Sequence, residues 1–232
     1  MIRTKSLCKS FTGAGGGEVV ALDRIDLHVE RGEFLAVVGP SGSGKSSLLF
    51  ALGALAAPTS GEVWLGEQQI YELGPSERAA LRREQVGFVF QTFNLVPYLT
   101  CEENVALPAL LAGRPRAEAF AAAREVLGRL GLSLRRRHRP AELSVGERQR
   151  AGVGRALVNG PSLLLADEPT GNLDPAATAD VMGLFREIHA AGRTVVMVTH
   201  DPALAETADR VVCLRAGAVV EDRFAGPGRK AS

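Results

Sequence analysis

A chain of 232 residues with 46% hydrophobic side chains can bury a sizeable core, as one domain or as one core with an appended lobe. Its formal net charge of +1 gives no bias toward polyanions, so nucleic acid is not an expected partner. Cys8, Cys101 and Cys213 are odd in number, widely separated and without metal-ligand spacing, which points to free thiols in a reducing compartment.

In chain order, residues 1–5 lead into no apolar stretch of leader type. Residues 2–32 read as strands joined by turns. Residues 19–22 and 25–29 carry β-formers, and the second run alternates as a half-buried strand does. The glycine-rich run at 13–17 is expected to be a mobile loop. Phe11, just before it, is either a core side chain, which spacing alone favours, or an aromatic platform for a nucleobase.

Residues 34–38 form a continuous apolar run, as in a buried strand. Then comes Gly39-Pro40-Ser41-Gly42-Ser43-Gly44-Lys45-Ser46, which fits the phosphate-loop pattern G-x-x-x-x-G-K-[ST]. Ser47 opens an apolar helix to residue 52, so strand and helix flank the loop as the motif requires. Glycines let such a loop fold tightly, and its N–H groups, with the helix N-terminus, can wrap an anion. Lys45 would reach the β- and γ-phosphates and the Ser46 hydroxyl would ligate Mg²⁺. No apolar run reaches the roughly 18–20 residues needed to span a bilayer, so a membrane role requires a partner.

A turn at 57–61 precedes an expected edge strand at 62–65, and Ser76-Glu77 opens a short charged helix to residue 83. Residues 86–90 read as a buried strand ending at Gln91. That amide could bond backbone, or it could be a ligand contact of the kind open α/β sheets place at strand C-termini. Between 92 and 142 β-branched residues thin out. Thr100-Cys101-Glu102-Glu103 matches a capping box, Pro108 lies inside the helix that follows, and 115–130 suits another helix. The basic run at 135–139 reads as a solvated helix end or loop. The whole stretch reads as a helical lobe inserted into an α/β core.

Ser144 is a natural N-cap for a helix from 143 to about 158, stopped by Asn159-Gly160-Pro161. Its N-terminus is a second candidate anion site. Residues 162–166 then deliver Asp167 and Glu168 at a strand end, where adjacent carboxylates can do different jobs. Asp167 suits Mg²⁺, the Walker B arrangement, and Glu168 suits orienting a water for attack on the γ-phosphorus. Asp174-Pro175 reads as a cap followed by proline at the first helical position, with the helix running to about 190. Another buried strand, 194–199, ends at His200, and Asp201-Pro202 repeats the cap. Residues 211–214 and 218–220 read as a closing hairpin, and the polar tail from 226 as frayed.

Taken together, the ordered set resembles the ATP-binding subunit of ABC transporters over essentially the full chain. The matching elements are the Walker A loop 39–46, Gln91 as Q-loop residue, and Leu143-Ser144-Val145-Gly146-Glu147 as signature. They continue with Walker B at 163–168, the D-loop Asn172-Leu173-Asp174 and His200 as switch histidine. Residues 87–91, 94–97 and 167–174 look most like the branch of lipoprotein-release and macrolide-export ATPases, which also holds the cell-division ATPase.

The resemblance implies a P-loop NTPase fold of class α/β. It has a RecA-like, mostly parallel sheet core, an N-terminal antiparallel β subdomain and an inserted α-helical subdomain. The expected division is a single domain over 1–232, with 1–91 and 160–232 as core and β subdomain and 92–159 as helical subdomain. It also implies ATP and Mg²⁺ as ligands. ATP would be held by Phe11, Gly39, Pro40, Ser41, Gly42, Ser43, Gly44, Lys45, Ser46 and Ser47, with Gln91, Ser144, Gly146, Asp174 and His200. Mg²⁺ would be held by Ser46, Gln91 and Asp167. Catalysis would fall to Glu168, His200, Gln91 and Lys45.

Two copies would sandwich two ATPs, and an integral-membrane permease would dock on the helical lobe, placing the chain on the cytoplasmic face of the membrane. The expected function is a Mg²⁺-dependent ATPase driving export or lipoprotein release. The alternative is a regulatory ATPase of the cell-division type that signals through its membrane partner without transport. The signature departs from Leu-Ser-Gly-Gly-Gln at Val145 and Glu147. Ser144 and Gly146, which would approach the opposite subunit's γ-phosphate, are intact. Glu147 brings a carboxylate toward that anion, which Arg148 or Arg150 would offset.

Overall fold

The computed structural model describes residues 1–12 and 16–225. The loop expected at 13–17 lies mostly outside them and the tail from 226 wholly outside. Element order begins β1 (Ile2–Thr12), β2 (Glu18–Val29), β3 (Phe34–Val38), α1 (Lys45–Leu52), β4 (Ser60–Leu65), β5 (Gln68–Gln69), α2 (Pro75–Gln85) and β6 (Val86–Phe90). It continues α3 (Cys101–Leu111), α4 (Arg116–Arg129), α5 (Val145–Leu157), β7 (Leu163–Asp167), α6 (Pro175–Ala190), β8 (Thr194–Val198), α7 (Pro202–Ala205), β9 (Arg210–Arg215) and β10 (Ala218–Phe224). Two single-turn 3-10 helices, Ser133–Arg135 and Pro140–Glu142, lie between α4 and α5. The chain forms two compact units, Met1–Arg78 with Gly192–Ser232, and Ala79–Ala191.

In the first unit, β1 pairs antiparallel with β2 on one side and β4 on the other. Residues 19–22 and 25–29, expected as separate strands, are one continuous β2. The chain between them does not turn away but bulges. Arg24 (φ 47°) and Ser6 (φ 44°) enter the left-handed region, the β1–β2 register shifts there, and Asp26 Oδ1 accepts the Ser6 N–H at 2.6 Å. An extra residue in a strand bends it and increases its twist. β4 is not the edge expected of it, because the two-residue β5 covers its outer side.

A second set of strands in this unit runs β3 parallel to both β8 and β9, with β10 antiparallel to β9. The five residues of β8 and the first four of β3 are all buried. Strands covered on both faces read as continuous apolar runs rather than alternating ones. Each fully buried Leu or Phe here stabilises by about 1.5–3 kcal/mol relative to exposure.

In the second unit, β6 and β7 pair in parallel, and α3, α4 and α5 pack together. The Thr100–Glu103 capping box forms as expected, and Pro108 lies within α3. Asn104, fully buried, is satisfied at both ends. Its Oδ1 accepts from Val96 N (2.7 Å), and its Nδ2 donates to the carbonyls of Val96, Leu99 and Thr100. A buried amide met this completely fixes the loop entering α3. The three cysteines are free. Burial, assisted by the nearby Glu147 and Glu102 carboxylates, pushes the Cys101 thiol up to about 11. Among the described residues no helix is long and apolar enough to cross a membrane.

Candidate functional site

The phosphate loop leaves the end of β3. Gly39, Gly42 and Gly44 adopt φ of 151°, 76° and 101°. A Cβ on Gly39 would lie 2.1 Å from the Leu214 carbonyl oxygen, and one on Gly44 would lie 2.1 Å from that of Ala21. These two glycines are therefore demanded twice, by dihedral and by backbone crowding. Gly44 is the N-cap of α1, with no side-chain cap and no acid in the first turn. The positive end of the helix is thus left for an external anion.

Lys45, almost fully buried, folds back so that Nζ donates to the carbonyls of Gly39 (2.8 Å) and Pro40 (2.9 Å). An ammonium held by neutral carbonyls keeps its charge available to a phosphate. Ser43 Oγ is buried and has no hydrogen-bond partner. Ser46 and Ser47 occupy the first turn of α1. Thr199 N donates to Val37 O at 3.1 Å, extending the β3–β8 pairing, so exposed His200 leaves at the same strand ends as the loop.

Phe11 is 48% exposed on β1 opposite Val19. This overturns the core reading that spacing favoured. The alternation of β1 places its apolar face inward only as far as Leu7, beyond which the register shifts. Lys9 Nζ sits 5.0 Å from the Phe11 ring centroid and donates to Ala57 O at 2.7 Å.

In the second unit, Phe90 lies opposite Asp167 in the parallel β6–β7 register, so Gln91 and Glu168 emerge together at the strand ends. Glu168 takes φ 46°, a conformation that costs a non-glycine residue on the order of 1–3 kcal/mol. Gly171 N closes a turn onto Glu168 O at 3.1 Å. Asn172 Nδ2 donates to Gln91 O at 3.1 Å. A Cβ on Gly171 would fall 2.8 Å from Gln91 Nε2, so Gln91 rests on that glycine. Amide and carboxylate oxygens, which Gln91 and Asp167 offer in this unit, are hard ligands of the kind Mg²⁺ takes, and so is a hydroxyl such as that of Ser46 in the first unit. Asp174 accepts from Ala177 N at 2.8 Å as the N-cap of α6.

Ser144 caps α5, its Oγ accepting from Glu147 N at 3.2 Å while Glu147 Oε2 accepts from Ser144 N at 2.8 Å. Gly146 faces α6, where an added Cβ would meet that of Ala177 at 3.2 Å. The offset for Glu147 does not come from Arg148 or Arg150. Arg148 donates to the carbonyls of Leu143 and Pro140, and Arg150 faces Asp180. Arg135 supplies it, donating to Glu147 Oε1 at 2.8 Å. The basic run is therefore not simply solvated. The Ser144 N–H, first among causes, and Arg135 hold the Glu147 carboxyl below its ordinary range.

Two residues on α5 escaped the reading of the motifs. Gln149, fully buried, donates through Nε2 to Pro169 O at 2.6 Å. Arg155 donates to Phe93 O at 2.9 Å and to Asn94 O, gripping two consecutive residues in the left-handed region (φ 59° and 50°). Burial lowers the Arg155 pKa. The available signal was a polar side chain at 149 on the same helical stripe as the buried Gly152, Val153 and Ala156.

The family sequence model described as ABC transporter matches residues 22–171. The chain is 45% identical over 222 residues to the macrolide export ATP-binding/permease protein MacB of Hyphomonas neptunium, covering 96% of this chain and 34% of that protein. It is 47% identical over 210 residues to MacB of Burkholderia lata, covering 90% and 31%. The chain thus spans about a third of the length of these curated relatives. In structure it is similar to the dimeric post-hydrolysis state of the ATP-binding cassette MJ0796 bound to ADP and Pi. The TM-score is 0.91 and the identity 36%, over 98% of this chain and 100% of that one. A second dimeric structure of that cassette matches with the same TM-score at 38% identity and the same coverage. The fold is that of the ABC ATPase cassettes, and the chain belongs to the ABC transporter family.

Proposed function

We propose that this chain is the Mg²⁺-dependent ATP-hydrolysing unit of an export-type ABC transporter, working as an ATP-sandwich dimer and driving an integral-membrane permease. The observation that carries this reading is the phosphate loop. Two of its glycines, Gly39 and Gly44, sit where backbone leaves no room for a Cβ, an uncapped helix end follows, and the Lys45 ammonium is held over the loop's own carbonyls. The names of the relatives favour macrolide-type export, and the dimeric cassette structures favour pairing. The chain would sit at the cytoplasmic face of the membrane through its permease, docked by the helical lobe at 92–159.

The roles divide by chemistry. Phe11 offers a face to the base. The loop N–H groups and Lys45 bind the phosphates, and Ser46, Asp167 and Gln91 provide oxygen ligands to the cation. When bound, Mg²⁺ neutralises charge on the phosphate oxygens. Glu168 orients a water and accepts its proton as the new O–P bond forms and the bond to the ADP oxygen breaks. His200 stabilises charge developing on the γ-phosphoryl group. Ser144 and Gly146 act on the ATP of the second copy, so ATP favours the closed pair by binding it better than the open one.

The test is Glu168→Gln. The variant should bind ATP, form stable dimers by size-exclusion chromatography with ATP, and lose turnover. Hydrolysis at near wild-type rate would show that Glu168 is not the base.

A further inference from the structure

The turn that carries Glu168 is held from α5, the helix that Ser144 caps, by one buried hydrogen bond. Gln149 is fully buried, and its Nε2 reaches Pro169 O at 2.6 Å. The orientation of the amide is fixed by its partner, because a carbonyl can only accept, so the atom facing it must be the donor nitrogen. Gln149 Oε1 is left buried and without a partner. Burying an unmet acceptor is unfavourable, so an apolar side chain would serve packing better than glutamine does. The gain from glutamine lies in the single bond to Pro169.

That bond acts on a strained point. Glu168 sits at φ 46° immediately before a proline, where the allowed backbone is narrower still. Among the contacts that hold the turn in this shape are Gly171 N to Glu168 O and Gln149 Nε2 to the next carbonyl along. The first belongs to the turn itself, whereas the second comes from another element.

We propose that Gln149 is a positioning residue for Glu168, tying the placement of its carboxylate to the helix whose N-terminus carries the signature serine. The proposal rests on the reading of Glu168 as the water-orienting base. Through Gln149, a shift of α5 is felt at the Glu168 turn by way of one backbone carbonyl. The side chain itself touches no substrate.

The experiment compares steady-state ATP hydrolysis, nucleotide binding and thermal unfolding of the full chain with its Gln149→Leu, Gln149→Met and Glu168→Gln variants and the Gln149→Met/Glu168→Gln double variant. Leu and Met remove the donor, and unbranched Met follows the path of glutamine in a packed core. Gln149→Met should lower kcat roughly 10- to 100-fold, the size expected of a misplaced catalytic group. KM for ATP should stay within about twofold, since ground-state binding is untouched.

In the Glu168→Gln background the same substitution should cost no further residual hydrolysis, because residues acting as a unit are non-additive. The proposal is overturned if folded Gln149→Met keeps kcat within about twofold of wild type. It is also overturned if the two losses add, or if both Gln149 variants fail to unfold cooperatively, which would make the residue structural. Full turnover in Glu168→Gln would instead overturn the assignment of the base. Loss there with activity kept in Gln149→Met would sink only the positioning role.

Discussion

Arg135 and Glu147, twelve positions apart, are joined by an Nε–Oε1 hydrogen bond of 2.8 Å, and the same carboxylate closes the capping box of α5 through its other oxygen. The two contacts differ in worth. The cap satisfies helix N–H groups that would otherwise lack partners, whereas the ion pair has an arginine about half exposed.

Ser144→Ala should therefore destabilise the chain by about 1 kcal/mol, the usual loss for a helix cap. Arg135→Ala should cost less, under about 0.5 kcal/mol, as exposed pairs do. Urea unfolding of the two variants checks the order, and a larger loss for Arg135→Ala would contradict it.

Acid should expose the same caps. Glu103 and Glu147 are both held below the ordinary carboxylate range, chiefly by the backbone N–H groups of Thr100 and Ser144. A group whose folded pKa is depressed adds stability that is fully present above its unfolded pKa, about 4.3 for glutamate, and is lost as pH falls through the lower folded value. The thermal midpoint should hold on approaching pH 5 from above and then decline below the unfolded value. The double variant Glu103→Gln/Glu147→Gln should show a flatter acid limb, and an unchanged limb would assign the decline to other groups.

Two glycines of the phosphate loop should respond unequally to alanine. At Gly44, φ 101° and an oxygen 2.1 Å from the new Cβ act together, and the obstacle is backbone. Gly44→Ala should cost more than about 2 kcal/mol and abolish ATP binding. At Gly42, φ is 76° but no heavy atom lies within 4 Å of the added carbon. Gly42→Ala should cost only the dihedral, about 1–2 kcal/mol, in a thermal or denaturant melt. Equal losses would mean that crowding at Ala21 is relieved elsewhere.

Much of the molecule was readable along the chain because its causes are local. The caps at Thr100, Ser144 and Asp174 are bonds to a backbone group three residues on, and their residue types announce them. The glycines of the loop and the apolar runs of β3, β6, β7 and β8 likewise state their own conformation and burial. The order of short motifs then carried the family.

What pairs distant residues was set by the tertiary structure alone. Whether residues 19–29 make two strands or one bulged strand depends on the register against β1. Whether β4 is an edge depends on a two-residue strand too short to show a period. Phe11 is exposed because the β1 register shifts before it, and Glu147 finds Arg135 because the chain between them folds back. Gln149 looks in the chain like one more polar residue of a charged helix. Only the packing of α5 against the turn at Pro169 makes it a buried donor with a single acceptor, since hydrogen-bond partners at long separation are chosen by geometry and not by residue type.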